Sequence, residues 1–288
     1  MHMRLVFLVL CGVFHPIMAS GFLVVIDPGH GGKDPGAIGV DHILEKDITL
    51  SLAKKLKQKL TQMKDVSAVL TRDKDVYLTL SERRRKAEQL GADLLVSIHA
   101  DSFDHKEANG MSVYALSSKG ATSFAAEYLA SQENASISSS QQDDDIDDVL
   151  LDLQQASSIK RSIGIGEDLL QALGRIGSLH SDHVEQAAFV VLKSPKHPAV
   201  LIESGFISNK ADAKHLNNKQ FQEKLADSLA QGIKTYLNEL AKHTLYTVAE
   251  GDSLYTIALK QHTTVPALRS LNQLKTNTIF PGMKLRLH

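Results

Sequence analysis

Short apolar runs alternate with longer amphipathic stretches from residue 22 to about residue 240, and this alternation constrains the fold more than any other feature. Residues 22–26, 94–98 and 199–202 have the length and apolar character of buried strands. Between residues 46 and 63, apolar side chains recur every three or four positions, as they do on the buried face of a helix. The pattern predicts an α/β fold with a mostly parallel sheet that is flanked by helices on both faces.

Other segments extend the same pattern. Thr79 and Glu82 have the spacing of a capping box, so a helix should begin there and end before Gly91. The further predicted elements are strands at 66–70, 111–116 and 187–192 and a late helix through 221–237.

Residues 1–20 have the features of a secretory signal peptide. Arg4 precedes ten apolar residues at 5–14, and the small pair Ala19 and Ser20 follows. The alternative is a buried first strand or helix of the fold. Cys11, the single cysteine, follows Leu10, which fits a lipoprotein cleavage site poorly. We therefore expect a secreted protein whose mature chain has no thiol for a disulfide, a metal or catalysis.

Composition restricts the partners that we expect. The formal net charge is −1, which argues against general attraction to nucleic acid or to anionic membranes. The chain has no run of about 20 apolar residues, the length that a membrane-spanning helix needs. We expect neither a nucleic-acid partner nor a membrane span.

Polar residues with metal-binding chemistry stand at the ends of three predicted strands. His30 follows strand 22–26, His99 ends strand 94–98, and Glu203 ends strand 199–202. Glu45 stands just before the first long helix. Because ligands gather at the carboxyl ends of the strands in such sheets, these side chains should meet at one edge. Two imidazoles and a carboxylate form a common catalytic zinc set.

Each of these residues also has an ordinary structural interpretation. A histidine after a strand is usually a surface residue, and an acid before a helix, such as Glu45, offsets the helix dipole. Glycines beside His30 could simply form a tight turn. Other histidines compete as ligands or substrate contacts, as does Glu185: the histidines are His42, His105, His180, His183, His197 and His215.

Two regions depart from the alternation. Residues 131–148 contain six acidic residues and no Lys or Arg, so we expect a loop there. An apolar stripe follows over 146–163 and includes Val149, Leu150, Leu153 and Ile159. The pattern from residue 243 to residue 288 predicts a separate small unit, so we place a domain boundary near residue 242.

Four motifs in this order resemble one family. Residues 25–37 read VIDPGHGGKDPGA, 45–47 read EKD, 97–101 read SIHAD and 203–209 read ESGFISN. Over about residues 22–240 the chain resembles the zinc-dependent N-acetylmuramoyl-L-alanine amidases of the amidase-3 class, and most of all the periplasmic cell-separation type. We therefore expect a catalytic domain over residues 21–242. The resemblance implies Zn²⁺ held by His30, Glu45 and His99, with Glu203 as the catalytic acid–base.

The resemblance also implies a substrate and a location. Such enzymes hydrolyse the amide between N-acetylmuramic acid and L-alanine in peptidoglycan, during cell-wall remodelling and daughter-cell separation. We therefore expect a periplasmic protein. Two alternatives stay open: a zinc peptidase that cuts within the stem peptide, and a non-catalytic protein that binds the wall.

Related cell-separation amidases carry an inhibitory helix in the region of residues 120–163, and a protein activator displaces it. The resemblance implies the same device here, with Glu127 or Glu133 occupying the open zinc position. The alternative is an ordinary surface insertion.

The last part of the chain resembles a LysM module. Residues 245–258 read LYTVAEGDSLYTIA and residues 279–285 read IFPGMKL. The resemblance implies a βααβ unit over 243–288 that binds glycans containing N-acetylglucosamine. A single copy should bind weakly and serve to raise the local concentration of the enzyme at the wall.

Overall fold

The computed structural model describes residues 21–102, 108–135, 149–261, 263–272 and 274–287. The predictions for the signal peptide at 1–20, for His105 and for the acidic segment 136–148 fall outside this part of the chain. The side chains of Val149, Leu150 and Leu153 also lie outside it.

Six strands of the described part form one sheet with the order β2-β1-β3-β6-β4-β5. The pairs β1–β2, β1–β3, β3–β6 and β4–β5 are parallel, and only β4–β6 is antiparallel. The prediction of a mostly parallel sheet is confirmed. The strands are β1 Phe22–Pro28, β2 Val66–Leu70, β3 Leu94–His99, β4 Ser112–Leu116, β5 Glu185–Ala187 and β6 Ala199–Glu203.

Helices cover both faces of this sheet, as predicted. Their bounds are α1 Glu45–Thr61, α2 Leu80–Leu90, α3 Phe124–Asn134, α4 Val149–Gly174, α5 Lys210–Leu216 and α6 Lys219–Thr244. Apolar side chains of α1, α4 and α6 pack on one face, with Leu52, Leu169 and Leu229 fully buried. Side chains of α2 and α3 pack on the other face, where Ala87 and Leu129 are buried.

The helix predicted from Thr79 has both of its expected ends. The Thr79 hydroxyl accepts a hydrogen bond from the Glu82 amide at 3.2 Å, and the Glu82 carboxylate accepts one from the Thr79 amide at 2.8 Å. Gly91 ends the helix with φ +67°, a left-handed conformation that glycine adopts without steric cost.

The run 187–192, predicted as one strand, is divided between two elements. β5 ends at Ala187, and Val190–Leu192 forms a 3-10 helix. Phe189 and Val191 are both buried in the core beneath α2 and α3. All six residues of this run are apolar. Periodicity cannot distinguish a strand from a turn of helix in such a run.

The prediction of a loop over 131–148 is wrong for residues 131–134, which belong to α3. The Ser123 side chain caps this helix by accepting a hydrogen bond from the Ala126 amide at 3.0 Å. Leu129 and Ala130 are buried, so packing stabilises a helix that the polar composition of its last turn does not favour.

The end of the chain forms a βααβ unit, as predicted. It consists of β7 Leu245–Thr247, α7 Leu254–Lys260, α8 Val265–Leu271 and β8 Lys284–Arg286, and β7 pairs with β8 in antiparallel fashion. Its own core contains Leu254, Ile257, Leu268 and Leu285, all buried. α6 ends at Thr244, directly before β7. The boundary near residue 242 stays a prediction.

Among the helices of the described residues, none combines the length and the apolar character required to cross a bilayer.

Stability should depend on pH through His197, which is 1% exposed at the start of β6. Burial lowers the pKa of His197 below its usual 6.5, although Glu88 and Asp93 lie nearby and oppose the shift. As pH falls through 6.5, the unfolded chain binds this proton before the folded chain does, so the free energy of unfolding decreases.

The His197→Asn variant should therefore lose less stability than the wild type between neutral and mildly acidic pH. Urea unfolding at several pH values, with constant m-value, measures this difference. His42→Asn, at an exposed position, is the matched control and should keep the pH dependence of the wild type. An equal loss in His197→Asn and wild type would refute the assignment.

Candidate metal centre

The sheet brings three of the predicted residues to one edge. β3 and β6 run parallel with His99 directly beside Glu203, each at the last position of its strand. β1 lies on the other side of β3, and the Gly29 amide donates to the Ile98 carbonyl at 2.9 Å. The loop that carries His30 therefore begins beside His99.

Four side chains with ligating atoms meet at this edge. One such atom each from His30, Glu45, His99 and Glu133 lie within 4.8 Å of one another. His30 Nε2 is 3.0 Å from a Glu45 oxygen and 3.6 Å from Glu133 Oε2. His99 Nδ1 is 3.1 Å from the other Glu45 oxygen and 3.0 Å from Glu133 Oε2. Glu45 is fully buried, and His99 and Glu133 are nearly so.

The surrounding groups orient these side chains. His30 Nδ1 pairs with Asp34 Oδ2 at 3.0 Å, which turns Nε2 toward the cluster. Glu45 accepts backbone hydrogen bonds from Ala37 and Ala100, each at 2.9 Å. A carboxylate behind a histidine and amides behind a carboxylate are the outer contacts that orient metal ligands.

Electrostatics in the cluster balance two cations against two anions. Burial alone disfavours a charged imidazole, but the carboxylates outweigh it: chiefly Glu45 raises the pKa of His30, and chiefly Glu133 raises the pKa of His99. Burial likewise opposes ionisation of Glu45 and Glu133, yet the imidazoles hold the pKa of both carboxyls below the usual range. The cluster thus favours ionised carboxylates at close range.

The cluster fits a divalent metal ion. His30 Nε2 is buried and has no hydrogen-bond partner among the described residues, although a carboxylate oxygen lies close to it. A metal ion would use that nitrogen and would replace the protons that the two imidazoles hold. Imidazole nitrogens together with carboxylate oxygens suit zinc.

Glu203 lies beside the cluster without being part of it. Its Oε2 accepts a hydrogen bond from the Asp101 amide at 3.0 Å, and its Oε1 has no partner among the described residues. Burial raises the pKa of Glu203, and the neighbouring acids Asp101, Glu45 and Glu133 add to the shift. A carboxyl whose pKa is raised above its ordinary value is better suited to taking up and passing on a proton.

Helix α3 covers the cluster from one side. It contributes Tyr128, Gln132 and Glu133 to the lining of a cavity of about 470 Å³ that also contains His30 and His99. Glu133 is 7% exposed, whereas Glu127 is exposed and outside the cluster. Of the two acids that sequence reasoning considered, only Glu133 reaches the candidate ligands.

The competing histidines of the described residues lie elsewhere. His42 is exposed, His180 packs against Phe206, and His215 stacks on Phe221. His183 is exposed and pairs with Asp182, and its neighbour Glu185 accepts from the Thr122 hydroxyl; neither His183 nor Glu185 lines the cavity at the cluster. His197 is buried at the amino end of β6.

Sequence reasoning missed Asp101. It lies two residues after His99 and is 7% exposed, and burial raises its pKa to about 8 with help from the charges of Glu45 and Glu133. The SIHAD motif contained a signal for it, because a charged residue so close to the end of a buried strand needs a partner.

Comparison with known proteins adds to this geometry. The family model described as Amidase_3, N-acetylmuramoyl-L-alanine amidase, matches residues 24–235, and the LysM domain model matches residues 246–287. AmiA of Escherichia coli K12 is 42% identical over 221 residues, which cover 75% of this chain and 76% of AmiA. AmiC of Escherichia coli O6:H1 is 42% identical over 219 residues, which cover 74% of this chain and 52% of AmiC. The chain thus spans about half the length of that relative.

Solved structures agree with the family match. AmiC2 of Nostoc punctiforme has a TM-score of 0.56 and 31% identity, over 76% of this chain and 99% of AmiC2. An N-acetylmuramoyl-L-alanine amidase of Clostridium difficile 630 has a TM-score of 0.58 and 26% identity, over 76% of this chain and 98% of that one. The chain therefore belongs to the N-acetylmuramoyl-L-alanine amidase family and carries a LysM domain at its C-terminal end.

Proposed function

We propose that this chain hydrolyses the amide bond between N-acetylmuramic acid and L-alanine in peptidoglycan with the help of a zinc ion. The observation that carries the proposal is the buried cluster of His30, Glu45 and His99 beside Glu203, in a chain that belongs to the amidase family.

His30, Glu45 and His99 would hold the zinc ion. Support comes from their converging ligand atoms and from the buried His30 Nε2, which makes no hydrogen bond among the described residues. When bound, zinc supplies Lewis acidity, which polarises a carbonyl and makes water more acidic. Asp34 holds the His30 ring through Nδ1, and the Ala37 and Ala100 amides hold the Glu45 carboxylate.

Glu203 would carry the proton. In amide hydrolysis a water molecule adds to the carbonyl carbon, and its proton must reach the departing nitrogen as the C–N bond breaks. Glu203 Oε1 has no competing hydrogen bond among the described residues, so it is available to accept that proton and to donate it to the amine. The Asp101 amide fixes the other carboxylate oxygen.

Substitutions should separate ligation from proton transfer. His30→Ala and His99→Ala should lower the zinc content of the purified protein. Glu203→Gln should retain zinc and lose at least about 100-fold in turnover, because it removes acid–base chemistry while keeping the shape of the side chain. Metal analysis beside a dye-release assay on sacculi measures both quantities, and a zinc-loaded, fully active Glu203→Gln protein would disprove the assignment.

The same assay distinguishes the chemical alternatives. Mass spectrometry of the released products identifies the bond that is cut: an amidase frees intact stem peptides, whereas a stem peptidase leaves L-alanine attached to the glycan. If zinc-loaded protein releases neither product, even when Glu133 of α3 is replaced by Ala, the chain is a non-catalytic wall-binding protein.

Helix α3 would restrain the enzyme, and a protein activator would displace it. Support comes from Glu133, whose Oε2 lies 3.0 Å from His99 Nδ1 and 3.6 Å from His30 Nε2. A carboxylate in that position would occupy the place next to the zinc ion that the substrate needs. Burial acts against ionisation of Glu133, but the two imidazoles lower its pKa, which favours the charged carboxylate.

Glu133→Ala should therefore hydrolyse sacculi faster than the wild type without an activator. A hydrogen bond to a charged group contributes about 1.5–3 kcal/mol, so we expect roughly a tenfold increase or more. Glu127→Ala, which removes an exposed acid from the same helix, is the matched control and should match the wild-type rate. If Glu133→Ala binds zinc and folds but is no faster, α3 does not restrain the enzyme.

The C-terminal unit would hold the enzyme at the wall. Support comes from the separate core around Leu254 and Leu285 and from the LysM match to residues 246–287. We place the division between catalytic domain and LysM module near residue 242. We infer a secreted, periplasmic location from the signal-like residues 1–20 and from the peptidoglycan substrate, and we propose that the enzyme acts there in daughter-cell separation.

Truncation after Thr244 preserves the whole of α6 and should leave a folded hydrolase. Because it removes a second binding site for the same polymer, binding to insoluble peptidoglycan should weaken by about tenfold or more. Cosedimentation with sacculi measures the binding, and hydrolysis of a small soluble substrate, which should not change, is the control. Undiminished cosedimentation would rule out the wall-binding role.

A further inference from the structure

The loop that carries His30 has a backbone conformation that side chains disfavour. His30 has φ +58°, and it is followed by Gly31 at φ +127° and Gly32 at φ +59°. A residue other than glycine in the left-handed region costs about 1–2 kcal/mol. This cost persists only where surrounding contacts determine the conformation. Some other part of the molecule must therefore hold the loop.

Arg83, on helix α2, contacts this loop from one side. Its Nη2 donates to the His30 carbonyl at 2.7 Å, and its Nη1 donates to the Pro28 carbonyl at 2.6 Å. Nη1 also pairs with Asp27 at 2.9 Å, so the buried charge has a counter-ion. Arg83 is 2% exposed, so its guanidinium is shielded from water and has these groups as its partners.

Arg72, which follows β2, contacts the loop from the other side. Its Nε donates to the Pro28 carbonyl at 3.0 Å, and its Nη2 donates to the Gly29 carbonyl at 2.7 Å. The same Nη2 lies 3.0 Å from the Lys46 carbonyl, next to Glu45 in the first turn of α1. A single guanidinium thus joins the segment that carries His30 to the helix that carries Glu45.

We propose that Arg72 and Arg83 are positioning residues for the metal centre: together they bind the carbonyls of Pro28, Gly29 and His30 and so set the distance between the His30 and Glu45 ligands. The proposal rests on the proposed zinc site. Five hydrogen bonds from two guanidinium groups reach backbone carbonyls of residues 28–30 and 46. Neither arginine belongs to the ligand cluster.

The planar fork of arginine is essential to this role. Arg83 donates through three different nitrogens, to the Leu78 carbonyl by Nε and to the loop by Nη1 and Nη2. Lysine keeps the charge beside Asp27 but presents one nitrogen, so it cannot reach all of these acceptors from one position. Burial and the charge of Arg83 lower the pKa of Arg72 to about 10, which leaves Arg72 protonated at neutral pH.

The test compares Arg83→Lys and Arg72→Lys with Arg85→Lys, an exposed position on the same helix as Arg83. Zinc affinity of the purified full-length protein is measured by competition with a chelator, and the ligand geometry is read from the absorption spectrum of the Co²⁺-substituted protein. Changes in outer contacts of metal ligands typically weaken affinity by about 10–100-fold. We expect that loss and an altered Co²⁺ spectrum in Arg83→Lys and Arg72→Lys, and wild-type values in Arg85→Lys.

Thermal unfolding and kinetics separate positioning from simple support of the fold. If the arginines position the ligands, folded Arg83→Lys regains turnover as zinc is raised, with KM unchanged. If a folded variant melts earlier but keeps wild-type zinc affinity and Co²⁺ spectrum, the proposal is overturned. Should Arg83→Lys not fold, Arg72→Lys decides by the same criteria. If His30→Ala leaves the zinc affinity unchanged, the proposed zinc site itself is refuted. That result is independent of the arginines.

Discussion

Charge buried at the carboxyl edge of the sheet is the constraint on which the rest of the structure depends. Glu45, His99 and Glu133 are almost inaccessible to water, and an unpaired charge in such a place is very costly. The structure meets this cost locally: each carboxylate faces both imidazoles at close range, and each Glu45 oxygen also accepts a backbone amide. Breaking one of these pairs leaves another charge uncompensated, so the members of the cluster depend on one another.

The same constraint explains how the site could change state. His30, Glu45 and His99 lie on or beside the central elements β1, α1 and β3, whereas Glu133 comes from α3 on one side of the sheet. The contacts of Glu133 to the two imidazoles are electrostatic. If a metal ion replaced the protons of the histidines, its positive charge would attract Glu133 in their place. Displacement of α3 would therefore require a partner whose binding energy exceeds that attraction.

Sequence reasoning placed His30, His99 and Glu203 at one edge of the sheet because each follows an apolar run, and parallel pairing does bring their segments together. Their roles in ligation and proton transfer stay predictions. Sequence reasoning could not choose between Glu127 and Glu133, because that choice depends on which face of α3 turns inward. Arg72 and Arg83 resemble ordinary surface cations in sequence; their role depends on carbonyls that only the folded loop brings near.

The pKa values of two neighbouring buried glutamates, Glu45 and Glu203, are shifted in opposite directions, and their surroundings explain why. Glu45 accepts two backbone amides and faces both imidazoles, which hold its pKa below the usual range although burial acts in the other direction. Glu203 accepts one amide and is surrounded by other acids, so burial and like charge raise its pKa. An ionised carboxylate is suited to ligation, and a carboxyl that exchanges a proton is suited to catalysis. The environment, rather than the residue type, would thus separate the two proposed roles.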